Sequence, residues 1–218
     1  MVIPVLNEQE QLGGLLAQLA EVEDVWVVDG GSGDRSRELA LLMGAKLLRS
    51  APSRGGQLAA GAAQASKPRL FFVHADARLP AAWQQHLSEA LGRSAALAAA
   101  LRLRVMGRGW RLRLLERLVG LRSRWLGLPY GDQGLALSSN TYWQLGGYRA
   151  LPLMEDLDLV LRLGARGRVV LADAAIQVSD RRWRRLGVWR TAWRNFQLRA
   201  AWRRGEAAEQ LASRYRAS

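Results

Sequence analysis

Along the first third of the chain, short aliphatic runs alternate with longer stretches whose apolar residues recur every three or four positions. Residues 2–6 read as a strand, and 8–20 place Leu12, Leu15, Leu16 and Leu19 on one helical face. A second strand over 25–28 runs into the turn Asp29-Gly-Gly-Ser-Gly-Asp34. The same spacing predicts a helix over 35–43, a strand over 46–48, a helix over 55–65 and a strand over 70–73. Continuously apolar strands separated by helices predict an α/β fold, with a mostly parallel sheet covered on both faces. The pattern is less regular later. It predicts a strand over 95–105, a basic amphipathic helix over 110–126 and a short strand within 131–138. Beyond these it predicts a helix over 155–163, two small strands at 169–171 and 176–178, and a last helix over 187–204. No repeat or linker interrupts the chain, which reads as one domain over 1–218.

In parallel sheets ligands gather beyond the carboxyl ends of the strands. Asn7, Glu8, Asp29, Ser32, Asp34, Arg54, His74 and Asp76 all fall just after a predicted strand or at the start of the helix that follows one. Asp76 can supply an oxygen ligand to Mg²⁺ or Mn²⁺ bridging to a substrate diphosphate. It can equally cap the helix expected from about residue 81. Asp29 and Asp34, taken singly, belong to a glycine-rich turn and a helix cap. Glu155 and Asp156 taken singly make an acidic helix start that complements the helix dipole.

Composition narrows the classes. With 49% hydrophobic residues there is material for one substantial core. No apolar run approaches the roughly 18 residues of a transmembrane helix. The absence of a basic stretch before residues 2–6 argues against a secretory signal, so a cytoplasmic protein is expected. Because the chain opens almost inside its first strand, that strand is expected to fray. The lack of cysteine excludes disulfides, thiolate metal sites and a cysteine nucleophile. The formal net charge is +13, and Lys46 and Lys67 are the only lysines among the basic residues. Such a surface attracts phosphates, anionic lipid or nucleic acid.

Five segments in order, VIPVLNE, VVDGGSGD, RGGQLAAGA, FVHADARLP and GGYRALPLMEDLDL, resemble family 2 glycosyltransferases, and the likeness runs from Val2 to about Trp193. The resemblance implies the GT-A fold, with a nucleotide-binding half over 1–90 and an acceptor-binding half over 91–218. It implies a metal-dependent, inverting transfer from a nucleotide-sugar donor, UDP-linked by default, to an unidentified hydroxyl acceptor. Pro4, Asn7 and Glu8 match the segment lining the nucleoside pocket. Asp29 matches the aspartate that contacts the base, with Ser32 and Asp34 completing its loop. Arg54 and Gly55 match the basic, glycine-bearing segment beside the nucleotide. Asp76 matches the last aspartate of the DxD metal motif, and Asp156 the general base, with Glu155 beside it. Arg181, Arg182 and Trp183 loosely resemble the QxxRW element near the diphosphate and acceptor. Two positions depart from the pattern: His74 replaces the first DxD aspartate, and Asp or Ser stands at the QxxRW glutamine. A hard cation prefers oxygen, so His74 is expected to be a wall of the pocket rather than a ligand.

Rival classes fare worse. A dinucleotide-dependent oxidoreductase needs a glycine-rich turn after its first strand, where this chain has Asn7-Glu8-Gln9-Glu10. A nucleotidyltransferase needs a longer Gly- and Lys/Arg-rich first loop, which is absent. A nucleic-acid-binding module is suggested by the charge and by the Trp/Arg alternation after Arg181, but no zinc, helix-turn-helix or RNP-like signature accompanies them. In the final helix Trp189, Trp193, Phe196 and Ala200 share one face, and 102–125 carries Trp110 and Trp125. These tryptophans are expected to pack inward over the sheet, leaving the arginines solvated. The alternative is an aromatic and arginine-rich face at an anionic membrane surface, with a lipid-linked acceptor.

Overall fold

In a computed structural model, which describes residues 1–216, the first half follows the predicted alternation closely. It runs β1 (Val2–Val5), α1 (Gln9–Ala17), β2 (Trp26–Asp29), α2 (Ser36–Leu42), β3 (Lys46–Arg49), α3 (Arg54–Gln64) and β4 (Arg69–Phe72). Then come the two-residue β5 (Ala77–Arg78), α4 (Trp83–Leu91), β6 (Ala96–Val105) and α5 (Trp110–Leu126). A 3₁₀ turn at Gly131–Gln133 leads into β7 (Leu135–Ser138) and α6 (Ser139–Gln144). The chain continues through α7 (Glu155–Gly164), β8 (Arg168–Val178), α8 (Arg181–Leu186), α9 (Val188–Arg203) and α10 (Ala208–Arg216).

All strands join one eight-stranded sheet in the order β3-β2-β1-β4-β7-β6-β8-β5. β3, β2, β1 and β4 are parallel, β7 runs antiparallel between β4 and β6, and β6 and β8 are parallel. Alternating side chains feed two cores. Ile3 and Val5 pack with Leu12 and Leu15 of α1, Ala40 of α2 and Leu87 of α4 on one face. Val2 and Val28 pack with Leu58 of α3, Leu157 and Val160 of α7, Leu198 of α9 and Leu211 of α10 on the other. Both faces of the sheet are therefore covered.

Four expectations need correction. β1 does not fray: it pairs with β2 from Val2 onward, Met1 is buried, and the Trp26 N–H donates to Met1 O at 2.9 Å. The two small strands predicted at 169–171 and 176–178 are one strand, β8: its pairing with β6 is irregular after Leu171 and resumes at Ala175, and in between Asp173 reaches outward to Arg93. The helix predicted over 187–204 is found as α9 but is not the last, since α10 follows it; a separate short helix, α8, precedes it, divided from it by Gly187 in the left-handed region (φ 81). Finally, Trp110, Trp125, Trp189 and Trp193 do not pack inward; all four are exposed, and α9 instead buries Thr191, Leu198 and Ala201. No helix among the described residues is long and apolar enough to cross a membrane.

Candidate active site

Beyond the carboxyl ends of β1 and β4 lies a cleft of about 520 Å³, closed on its far side by the start of α7 and by α8 and α9. Of the residues singled out in the sequence, Pro4, Glu8, Arg54, His74, Asp76, Glu155, Asp156, Arg181 and Trp183 line it. The side chain of Arg182 lies outside the described residues.

Close backbone packing brings α3 and α7 together. Ser53 caps α3, its hydroxyl accepting from the Gly56 N–H at 3.4 Å and donating to Leu151 O at 3.3 Å. A Cβ on Gly55 would sit 2.2 Å from Arg149 O, so glycine is what lets α3 reach the 149–151 segment. That segment leads directly into α7, and Arg54 consequently meets Glu155 with 3.6 Å between charged atoms. Asp156, one residue on, is held from two sides: the Gly131 N–H donates to Oδ2 at 2.8 Å and the Leu157 N–H to Oδ1 at 2.7 Å. A Cβ on Gly131 would lie 2.8 Å from His74 Nε2 and 3.4 Å from Asp156 Oδ2. His74, Gly131 and Asp156 thus form one tight group. Across the cleft, Arg181 at the start of α8 donates to Glu8 at 2.8 Å, tying the loop after β1 to the second half.

Three acids of this cleft, Glu155, Glu8 and Asp76, are undercompensated. Burial first, and then the neighbouring Asp156 charge, push the Glu155 carboxyl up to about 7 against the opposing pull of Arg54. Burial also raises Glu8 and Asp76, with Arg181 acting against the rise in each case. His74 is pushed down to about 3 by burial and then by the Arg54 charge, so its ring is neutral at physiological pH.

The sequence model described as Glycosyl transferase family 2 matches residues 1–151. The chain belongs to family 2 of the glycosyltransferases. No curated protein sequence matches it. Among solved structures it is similar to the mannosyltransferase PcManGT from Pyrobaculum calidifontis, solved with GDP-Man and Mn²⁺ (TM-score 0.68, 18% identity, 94% of this chain and 64% of that one). It is similar to TarS 1-349 from S. aureus, solved with UDP-GlcNAc (TM-score 0.63, 16% identity, 83% of this chain and 58% of that one). A third is glucosyl-3-phosphoglycerate synthase from Mycobacterium tuberculosis, solved with Mn²⁺, UDP and glucosyl-3-phosphoglycerate (TM-score 0.55, 20% identity, 82% and 68%). At such identities the likeness speaks for the fold alone, the GT-A arrangement, and the glycosyltransferase spans less than two thirds of the TarS and PcManGT chains.

Five predicted residues of the glycosyltransferase stand outside the cleft lining: Asn7, Asp29, Ser32, Asp34 and Gly55. The first four lock two loops together. Asn7, at φ 56, accepts from the Gly33 N–H, and its own N–H donates to Ser32 Oγ. Asp34 accepts from the Gln9 N–H and from Ser36, while Asp29 accepts from the Gly31 and Ser32 N–H groups. Sequence reasoning passed over Gln57, whose buried amide donates to Val5 O at 2.9 Å and Val28 O at 2.7 Å and so fixes the ends of β1 and β2 beneath the cleft. It also passed over Gly131 and over Tyr130, whose ring lies 3.6 Å from Arg122 Cζ and 4.9 Å from Arg199 Cζ. Their one signal is the GDQG run before β7, a turn where glycine permits close approach.

Among the described residues no three His, Asp or Glu side chains cluster as a complete metal cage. Asp76 fits a shared site instead. It is a carboxylate at the cleft wall whose burial disfavours its charge, a cost that a cation relieves, and Mg²⁺ and Mn²⁺ ordinarily complete their shells with phosphate and water oxygens.

Proposed function

We propose that this glycosyltransferase moves a sugar from a nucleoside-diphosphate donor, UDP-linked by default, to an acceptor hydroxyl in one inverting displacement. The carrying observation is the convergence of Glu8, Arg54, Asp76, Glu155 and Asp156 on one cleft beyond the parallel strands. That three structural neighbours were solved with UDP, UDP-GlcNAc or GDP-Man supports a nucleotide-linked donor. In this reading residues 1–90 hold the nucleotide, through Pro4, Glu8 and Arg54 at the cleft with Asn7 and the 29–34 loop fixing the loops behind them, and residues 91–218 hold the acceptor. Asp156 takes the proton of the acceptor hydroxyl as that oxygen attacks the anomeric carbon and the bond to the diphosphate breaks. The N–H groups of Gly131 and Leu157 aim its carboxylate, leaving lone pairs for the incoming proton. Arg54 and Arg181 face the charge that grows on the leaving diphosphate. When bound, a divalent cation, Mg²⁺ or Mn²⁺ on Asp76, supplies further neutralisation of that charge.

Replacing Asp76 tests the donor site. UDP with Mn²⁺ at about a hundredfold excess over Kd should stabilise the wild type by about 3 kcal/mol, and EDTA should remove most of that gain. Asp76→Asn should keep its circular dichroism and lose the metal-dependent part; an unchanged metal-dependent gain would move the site elsewhere. Release of a glycosylated product and UDP, rather than pyrophosphate, separates this reaction from nucleotidyl transfer.

A further inference from the structure

Helix α5 is apolar on two opposite sides. Leu112, Leu115 and Ser123 face the protein, while Trp110, Leu114, Leu118, Leu121 and Trp125 form a stripe open to solvent. At about 100° per residue these five positions span only about 80° of the helix circumference. Two of them, Trp110 and Trp125, are 67% and 79% exposed. A second stripe, Trp189, Trp193 and Phe196, lies open on α9, with Trp193 stacked on Phe196 at 5.5 Å. The stripes meet where the rings of Trp110 and Trp189 approach to 6.5 Å. Exposed apolar surface this continuous marks an interaction site.

Its charge is one-sided. Arg111, Arg117 and Arg124 flank the α5 stripe and Arg190 the α9 stripe, all exposed, and none has an ion-pair partner among the described residues. Glu116 is the sole acid between residues 102 and 126, and its carboxylate already pairs with Arg113 at 2.9 Å; between 181 and 204 there is none.

We propose that the outward faces of α5 and α9 form a single surface that docks on anionic lipid bilayers. Tryptophan and leucine enter the interfacial region while arginine heads meet lipid phosphates. Two other occupants fit less well. A second copy seated symmetrically would set arginines against arginines with no acid to offset them. A nucleic-acid strand would use the arginines and leave Leu114, Leu118 and Leu121 in water. The same two helices also build the cleft: Arg122 of α5 stacks on Tyr130, and Asn195, Leu198 and Arg199 of α9 line its wall. Docking therefore brings the acceptor side of the cleft to the membrane, which points to an amphipathic, lipid-linked acceptor. That last step rests on the transferase reading; the docking surface does not.

Co-sedimentation of the full chain with vesicles of equal parts phosphatidylglycerol and phosphatidylcholine tests the surface. Binding should exceed that to pure phosphatidylcholine about tenfold and fall in about 0.5 M salt. The double change Trp189→Ala, Trp193→Ala should weaken it about tenfold or more, whereas Trp143→Ala, an exposed tryptophan elsewhere, should leave it unchanged. A protein that stays in the supernatant with anionic vesicles at low salt overturns the proposal. So does binding that ignores both tryptophans, which would be charge attraction alone, or a dimer that these changes dissolve without vesicle binding. UDP binding measured on the same proteins reports on the donor site separately, so its failure would count against the transferase reading and leave the vesicle result standing.

Discussion

At the amino end of the parallel strands, Asp24 accepts from Lys46 Nζ at 2.7 Å, the Ser66 N–H at 3.0 Å and Trp26 Nε1 at 3.1 Å. At the carboxyl end, Glu155 meets Arg54 at 3.6 Å and has an acid, Asp156, as its neighbour. Both carboxylates are buried. Burial opposes the charge of each, yet Lys46 and the Ser66 N–H bring Asp24 down to about 2, whereas Glu155 rises to about 7. One end of the sheet thus satisfies Asp24, and the other leaves Glu155, Glu8 and Asp76 wanting a cation or a proton. That is the division expected where strand carboxyl ends carry chemistry and amino ends carry stability.

The comparison breaks most visibly at Asp156. Asp156→Asn should lower transfer by a factor of about 10² to 10⁴ while the UDP-induced rise in Tm stays as in the wild type, because the lost group acts in the transition state. Retention of most transfer would pass the base role to Glu155. Asp24→Asn should do the reverse: about 2 kcal/mol of stability lost at neutral pH, UDP binding unchanged. The sign follows from the depressed carboxyl. Its contribution is complete above the unfolded value of 3.8 and disappears as pH falls toward about 2. Urea unfolding of the variant across that window should therefore show a flatter acid limb than the wild type; equal limbs would mean that Asp24 is not held as an anion.

The same contrast explains what could be read before the structure. In the first half each strand, turn and helix is encoded locally, and the polar residues at strand ends announce the site; Glu8, Arg54, His74 and Asp76 all reach the cleft. What local pattern could not separate was residues that face the ligand from residues that hold the loops facing it. Asn7, Ser32 and Asp34 share those strand ends yet tie the two loops together across 25 or 26 positions, Asn7 to Ser32 and to the Gly33 N–H, and Asp34 to the Gln9 N–H. In the second half the decisive contacts are non-local. Gly131 reaches Asp156 across 25 positions, and Tyr130 meets Arg199 of α9. The tryptophans of α5 and α9 failed the inward expectation because those helices already bury other residues, Leu112 and Leu115 in one and Leu198 and Ala201 in the other. Helical spacing reports that a face is apolar, not which of two apolar faces meets the core.

The smallest expected effect is the one that tests whether the carboxyl-end acids carry a stability cost. For an acid whose folded value lies above its unfolded one, the native state binds the extra proton, so stability is greatest below the unfolded value of 4.5 and is lost as pH rises through about 7. Glu155→Gln removes that loss, since an amide of the same shape needs no countercharge at high pH. It also gives up the attraction of Arg54, which lies half exposed with 3.6 Å between charged atoms. The two changes oppose each other, and the net gain in unfolding free energy at pH 8 should be about 1 kcal/mol, vanishing near pH 5. Chemical denaturation at both pH values measures it. A variant that is less stable at pH 8, with the wild-type pH slope intact, would show that Arg54 compensates Glu155 as fully as Lys46 compensates Asp24, and the contrast between the two ends of the sheet would be lost.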